Sequence, residues 1–272
     1  MMESWVDGQP ADVLSLKDRG LAYGDGLFET IAVRGGNLLL LERHLQRLEA
    51  GCQRLAFNVD MSALSAELDA YARDLGDGVL KLIVTRGDSL RGYAADPSAP
   101  ARRILQGSPP AAYPAVHGDQ GILLFPCTVR LSEQPLLAGL KHLNRLEQVL
   151  ARAEWRDTQY AEGLMLDASG RVIEGVFSNL FLVRDGVLFT ADLSRCGVAG
   201  VMRAELLFQA KSLGIVTQIT DISLEQLHQA DEVFVCNSVY GVWPVRGCGS
   251  ARWSVGPLTR KLQTLARALL DV

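Results

Sequence analysis

Lys141 is the first candidate for covalent chemistry in this chain. It stands in Leu136–Trp155, LLAGLKHLNRLEQVLARAEW, whose second half has helical spacing: Leu143, Leu146, Val149, Leu150 and Ala153, with Arg145, Glu147, Arg152 and Glu154 between them. Asn144 followed three residues later by Glu147 reads as a helix start of the capping-box type, with Asn where Ser or Thr is commoner. A lysine just ahead of a helix N-terminus meets the positive end of the dipole, and the preceding Leu136–Leu140 segment is mostly apolar. Both favour the neutral amine that a nucleophile or Schiff-base lysine needs. The alternative is a solvated loop lysine, the commoner state of the residue. Glu174 is the second candidate. It lies in VIEGVFSNLF between apolar segments, where a carboxylate needs a partner, and any arginine could be that partner.

Other chemistries are excluded by what is missing. The four histidines (His44, His117, His142, His228) form neither HExxH nor a Cys/His cluster of zinc-like spacing, so no metal site is expected. There is no GxSxG elbow, no GxxxxGK[ST] loop and no GxGxxG opening a βαβ unit. Gly24-Asp25-Gly26 alone is too weak to argue nucleotide binding. Cys52, Cys127, Cys196, Cys236 and Cys248 are scattered and include no CxxC pair, which favours thiols as small core residues in a reduced cytoplasm. A net charge of −4 gives no reason to expect nucleic acid or an anionic membrane. No apolar run approaches the roughly 20 residues of a membrane span, and MMESWVDGQP lacks the features of a secretory signal.

The elements that must position these residues come mostly as hairpins with helices appended. Expected strands are Val13–Leu16, Leu27–Val33, Leu38–Leu41, Val79–Thr85, Arg103–Gln106 and Gly121–Thr128, with Lys17–Ala22 as a turn. Two hairpins follow, Gly163–Leu166 with Val172–Glu174, and Ser178–Val183 with Val187–Thr190 across the Asp185-Gly186 turn. Short strands at Ile215–Ile219 and Val233–Cys236 complete the set. Helices are expected from Glu42 to about Phe57, over Met61–Leu75, from Gly200 to about Leu213, as a turn at Leu224–His228, and from about Leu258 to Leu270. The proline-rich, aperiodic stretch GSPPAAYPAVHGDQ is the best linker. The resulting expectation is an α+β fold of two domains, a smaller one over 1–107 and a larger one over 121–272, joined by 108–120.

In order along the chain, YGDGLFET, ERHLQRL, LKLIVTRG with RGY, LKHLNRLEQVLAR, VIEGVFSNLF, GVAGVMR and DEVFVCNSVYGVWPV resemble the fold-type IV pyridoxal-phosphate enzymes. That group includes the branched-chain and D-amino-acid aminotransferases and the aminodeoxychorismate lyases. The most discriminating stretch, AGLKHLNRLEQVL, is similar to the lyases, which convert 4-amino-4-deoxychorismate to 4-aminobenzoate and pyruvate on the way to folate. The resemblance implies a cofactor, pyridoxal 5'-phosphate, in the cleft between two domains of a homodimer.

By the same resemblance Lys141 is the Schiff-base lysine, and Glu174 sits against the pyridine nitrogen and keeps it protonated so that the ring accepts electrons. Arg47, a surface residue on its own reading, would hold the phosphate. So would the backbone N–H groups of Val201 and Met202, where a helix opens after Gly200. Asn237 and Ser238 would add donors. Thr30, Arg91 and Asn237 would handle the substrate, Arg91 by paired bonds to a carboxylate or else as an exposed loop residue. Lys141 would act as the base and Thr30 as the acid. Glu29 and Ser238 depart from the lyase pattern, and Glu29 matches the aminotransferase form FEG. An aminotransferase on the same fold, or a non-catalytic ligand-binding member of it, is therefore the alternative.

Overall fold

A computed structural model describes residues 3–90, 92–96 and 98–270. The chain divides into two compact units, Met1–Ala111 with Leu140–Asn144, and Ala112–Gly139 with Arg145–Asp271. Arg91, the expected substrate arginine, lies outside the described residues.

The first unit is a six-stranded antiparallel sheet under two helices. Its elements are β1 (Trp5–Val6), β2 (Gln9–Pro10), α1 (Arg19–Tyr23), β3 (Gly26–Arg34), β4 (Asn37–Leu38), α2 (Leu41–Arg54), α3 (Met61–Leu75), β5 (Gly78–Thr85) and β6 (Arg102–Ser108), with strand order β2-β1-β6-β5-β3-β4. Alternation in β3 and β5 buries Ile31, Leu80 and Leu82 completely, and the helical stripes supply Leu48, Leu64, Leu68 and Tyr71 to the same core. α3 spans the residues expected, because Asp60 caps it by accepting from Ser62 and Ala63 N–H.

Two expectations here are corrected. Val13–Leu16 is not a strand, and Lys17–Ala22 is not a turn: α1 begins after Asp18, whose buried carboxylate accepts from Gly20 and Leu21 N–H. The same carboxylate takes the Thr85 hydroxyl at 2.7 Å and Arg102 at 3.1 Å, which stabilises a one-turn helix too short to persist by itself.

Leu140–Asn144 belongs to this unit because it pairs with the open edge of β3. Phe28 N–H donates to the Lys141 carbonyl at 2.9 Å, and Leu143 N–H to the Gly26 carbonyl at 3.0 Å, with Leu27 opposite His142. Asn144 Nδ2 donates to the Gly24 carbonyl at 3.1 Å. The expected capping box therefore does not form: helix α5 (Leu146–Ala153) starts after Arg145 with no side-chain cap, and Glu147 accepts from Ser132 N–H instead. Lys141 lies in an extended segment rather than at a helix start, so the dipole argument for its chemistry loses its geometry.

The second unit is built on nine strands. It comprises α4 (Ala115–Asp119), β7 (Ile122–Leu131), α5, β8 (Tyr160–Asp167), β9 (Val172–Gly175), β10 (Asn179–Arg184), β11 (Val187–Ala191), α6 (Val201–Ser212), β12 (Thr217–Thr220), α7 (Leu224–His228), β13 (Glu232–Asn237), β14 (Gly241–Cys248), β15 (Ala251–Arg252) and α8 (Pro257–Leu270). Strand order is β12-β11-β10-β13-β14-β7-β8-β9, and β9 also pairs with β10 through Glu174 and Asn179. The six strands from β10 round to β9 thus close on themselves as a barrel. Leu164, Val172, Leu180, Val235 and Val245 are among its buried residues.

Both expected hairpins form, but the linker contains a helix, α4, and β14 was not expected at all. Pro244 in VYGVWPV argues against an interior strand, yet β14 lies between β13 and β7. Pro244 stands opposite Phe234 of β13, ahead of the first β14–β7 pair, Val245 with Ile122, and the register against β7 shifts further on, between Val245 and Gly247. The α5 face is also reversed from expectation. Ala151 is buried and Trp155 beyond it, whereas Leu146, Val149 and Leu150 are 75%, 61% and 59% exposed.

Candidate functional site

In the first unit the candidate residues gather around β3 and α2. The Lys141 ammonium lies over the Phe28 ring, 4.4 Å from its centroid, and the Lys81 ammonium lies 5.6 Å from the same ring. Lys81 stands opposite Thr30 in the β3–β5 ladder. Thr30, Phe28, Lys81 and Lys141 are thus brought together by strand alternation and by the edge pairing of Leu140–Asn144. Neither Phe28 nor Lys81 was singled out from sequence; the available signal was their place in the strand face that carries Thr30.

The opposite face of β3 carries Glu29, fully buried against α2. Arg47 grips its carboxylate with Nε at 2.8 Å and with a second guanidinium nitrogen, and His44 Nδ1 lies at 2.6 Å. His44 and Arg47 reach one carboxylate because they lie three residues apart on α2. Burial pushes the Glu29 carboxyl up, but Arg47 and His44 outweigh it and hold it at about 2. Burial pushes the His44 imidazole down against the opposing pull of Glu29, and its Nε2 is buried with no hydrogen-bond partner among the described residues. Arg47 therefore comes oriented by Glu29, with a five-donor fork of which the carboxylate takes two positions.

Arg19, buried at the start of α1, steadies the loop on both sides of position 91. It donates to Asp25 at 2.8 Å, to Ser89 Oγ at 3.1 Å, and to the carbonyls of Gly92 and Tyr93 at 3.1 and 2.9 Å.

In the second unit the candidates gather where β9, β10 and α6 begin or end. Glu174 is buried and accepts from Val198 N–H at 2.8 Å and from Asn179 Nδ2 at 3.4 Å. Asn179 also donates to the Val198 carbonyl at 2.8 Å and accepts from Gly200 N–H at 3.0 Å, tying the Gly197–Gly200 approach of α6 to the barrel seam. A Cβ at Gly200 would lie 2.0 Å from Asn179 Oδ1, so this approach requires glycine. Beyond it α6 starts with no side-chain cap, and Val201 and Met202 have buried side chains. What such a helix start presents is backbone N–H groups, the donor set that suits a phosphate. Asn237 uses its side-chain oxygen on Val239 and Tyr240 N–H, at 2.9 and 3.0 Å, and its Nδ2 on the Phe177 carbonyl at 3.3 Å. It thereby shapes the turn in which Ser238 stands. Taken unit by unit, the group types present are those that pyridoxal phosphate takes: an amine and a carboxylate-bound arginine in the first unit, a buried carboxylate and a helix start without a side-chain cap in the second.

Glu29 generates a pH prediction. Its folded value, about 2, lies below the ordinary 4.5, so its stabilising effect is present above 4.5 and is lost as pH falls from 4.5 towards 2. Glu29→Gln leaves Arg47 without its carboxylate and should cost about 3–5 kcal/mol at neutral pH. Urea unfolding should show the gap between wild type and variant narrowing through that acid window. A gap independent of pH would mean that the carboxylate charge contributes nothing.

The comparisons with known proteins agree over nearly the whole chain. The model of the family described as Amino-transferase class IV matches residues 26–248. A curated "Aminodeoxychorismate lyase" of Vibrio harveyi is 40% identical over 266 residues, 95% of this chain and 97% of that protein. The branched-chain-amino-acid aminotransferase of Salmonella typhimurium is 30% identical over 278 residues, 96% of this chain and 88% of that one. Among solved structures, the 4-amino-4-deoxychorismate lyase of Pseudomonas aeruginosa is 64% identical with a TM-score of 0.97, covering 99% of this chain and 100% of its own. By its sequence, its architecture and the residues assembled on it, this chain belongs to the class IV aminotransferases.

Proposed function

We propose that this protein is a pyridoxal-phosphate-dependent lyase that converts 4-amino-4-deoxychorismate to 4-aminobenzoate and pyruvate, a step towards folate. The observation that carries the reading is the 64% identity, over essentially the full length, to a solved lyase of that name. An aminotransferase of D-amino or branched-chain amino acids is the second reading, favoured by Glu29 in the aminotransferase form of its motif and by the 30% relative.

In the proposed assignment the Lys141 amine would hold the cofactor and, when free, would take the proton from the substrate carbon that bears nitrogen. When bound, the cofactor supplies an electron sink for the charge left at that carbon. Glu174 keeps a proton on the pyridine nitrogen. Arg47, oriented by Glu29, and the N–H groups of Val201 and Met202 hold the phosphate, with Asn237 and Ser238 as further donors. Arg91 and Asn237 hold substrate carboxylates. Thr30 delivers a proton to the departing pyruvate, and aromatisation of the substrate ring drives the step. This division of labour also argues against a non-catalytic member of the fold, which would need neither the amine nor the buried carboxylate.

Incubation with aminodeoxychorismate should yield 4-aminobenzoate and pyruvate, and Lys141→Ala should abolish both. Borohydride reduction of the wild type should fix a pyridoxyl group on Lys141. Conversion of the cofactor to pyridoxamine phosphate by an amino-acid donor, with no 4-aminobenzoate formed, would establish the aminotransferase instead. Thr30→Ala should bind cofactor normally yet slow pyruvate release about 10²–10⁴-fold; near-normal turnover would remove Thr30 from the chemistry.

The same reading makes the protein a cytoplasmic homodimer. Five free, buried cysteines support a reduced compartment, and among the described residues no helix is long and apolar enough to cross a membrane. The exposed stripe Leu146, Val149 and Leu150 on α5 supports a second copy as its cover. Val149→Glu with Leu150→Glu should therefore halve the mass seen by light scattering. An unchanged mass would place any dimer contact elsewhere.

A further inference from the structure

Glu162, in β8, is a buried acid to which the proposed chemistry gives no task. It is completely inaccessible, and among the described residues no cation forms an ion pair with it. Its two oxygens are instead met by four donors. Oε1 accepts from Gly163 N–H at 2.8 Å and from Val176 N–H at 2.9 Å; Oε2 accepts from Phe177 N–H at 3.3 Å and from Ser178 Oγ at 2.7 Å. Three of the four come from one short loop, residues 176–178, which joins the end of β9 to the start of β10.

The loop is drawn tightly round that carboxylate. Gly175 N–H donates to the Ser178 carbonyl at 2.8 Å, closing the turn. A Cβ at Gly175 would lie 2.3 Å from Ser178 Oγ and 2.8 Å from the Glu162 carboxyl carbon, so no other residue fits there without displacement. Asn179 follows the loop directly and Glu174 precedes it by one residue, Gly175; the two meet across the barrel seam. The Phe177 carbonyl within it accepts from Asn237.

We propose that Glu162 is a positioning residue: its carboxylate is the template on which loop 176–178 folds, and it thereby fixes where Glu174 and Asn179 present their side chains. This rests on the reading of Glu174 as the partner of the pyridine nitrogen. The residue type is explained by counting acceptors. A carboxylate offers about four lone-pair sites on two oxygens, whereas glutamine offers one acceptor oxygen and turns an N–H₂ towards N–H donors. Burying a carboxylate without a cation is costly. Burial pushes the Glu162 carboxyl up to about 7 even against its four donors. The titratable groups that feel its charge are the phenols of Tyr113 and Tyr240 and the thiol of Cys127, all pushed up by burial first and by Glu162 as well. A core residue kept only for packing would not incur that cost. A template for three donors in one loop would.

The test uses Glu162→Gln and, as a milder second variant, Ser178→Ala, which removes one donor and leaves the carboxylate in place. Hydrogen exchange on the full chain without cofactor reads the loop directly. The amides of Val176 and Phe177 should lose protection about tenfold or more in Glu162→Gln and less in Ser178→Ala, while those of β13 keep theirs. In the loaded enzyme, Glu162→Gln should shift the absorption of the bound cofactor and its pH dependence, because Glu174 is no longer held. It should also lower kcat about tenfold or more with KM within about threefold. Unchanged loop protection in Glu162→Gln overturns the template. Lost protection with wild-type absorption and kcat overturns the link to Glu174. The exchange arm needs no cofactor, so a wild type that took up no pyridoxal phosphate would defeat the functional reading while the loop result still decided the template.

Discussion

Closure of the barrel rests on one residue pair, Glu174 against Asn179. A sheet that closes must bring the last strand back to the first, and here a short strand, β9, does so where its own carboxylate is turned inward. Asn179 then serves three neighbours at once: Glu174, the Val198 carbonyl and the Gly200 N–H. The start of α6 is placed by that contact, and so is the backbone that the uncapped helix presents. In the proposed assignment, the bonds that complete the fold also place the residues given to the chemistry. Stability and function are therefore hard to separate by mutation at this seam.

Much of the element content was legible in the sequence because local signals agreed. The helical run Met61–Leu75 marked α3, the β-branched run ending at Thr85 marked β5, and Asp185-Gly186 marked the β10–β11 turn. What failed was whatever depended on partners distant in sequence. The periodicity of α5 was real, but periodicity cannot say which side faces the core; small Ala151 is inside, and the leucines are outside. Asn144 and Glu147 had the spacing of a capping box and were taken by Gly24 and Ser132, residues far away along the chain. β14 carries a proline, which strand propensity disfavours inside a sheet, and still keeps its place between β13 and β7.

The candidate residues were partly readable for the same reason. Motif order singled out Lys141, Glu174 and Arg47, but the local argument offered for Lys141, a helix start beside it, does not describe the segment it occupies. Glu29 was noticed only as a departure from a pattern, whereas it is the carboxylate that aligns Arg47 and His44. Glu162 gave a usable signal that went unread: an acid ahead of the apolar run of β8, with a glycine at the end of the next strand and a hydroxyl in the loop after it that fit it. A lone carboxylate in a buried strand is informative even with no cation in view.

The edge pairing of Leu140–Asn144 with β3 has a consequence for how the protein is made. On the ribosome, β3 emerges more than a hundred residues before the segment that covers its edge. Until residue 144 is synthesised, Gly26–Phe28 offers unpaired backbone donors and acceptors to any extended strand nearby. Nascent chains stalled in that interval carry an adhesive edge, and contacts of such long sequence separation form late. Lys141 thus arrives with the last piece added to the edge of that sheet. Chaperone demand, and the yield of heterologous expression, should be governed by this interval more than by the stability of the finished fold.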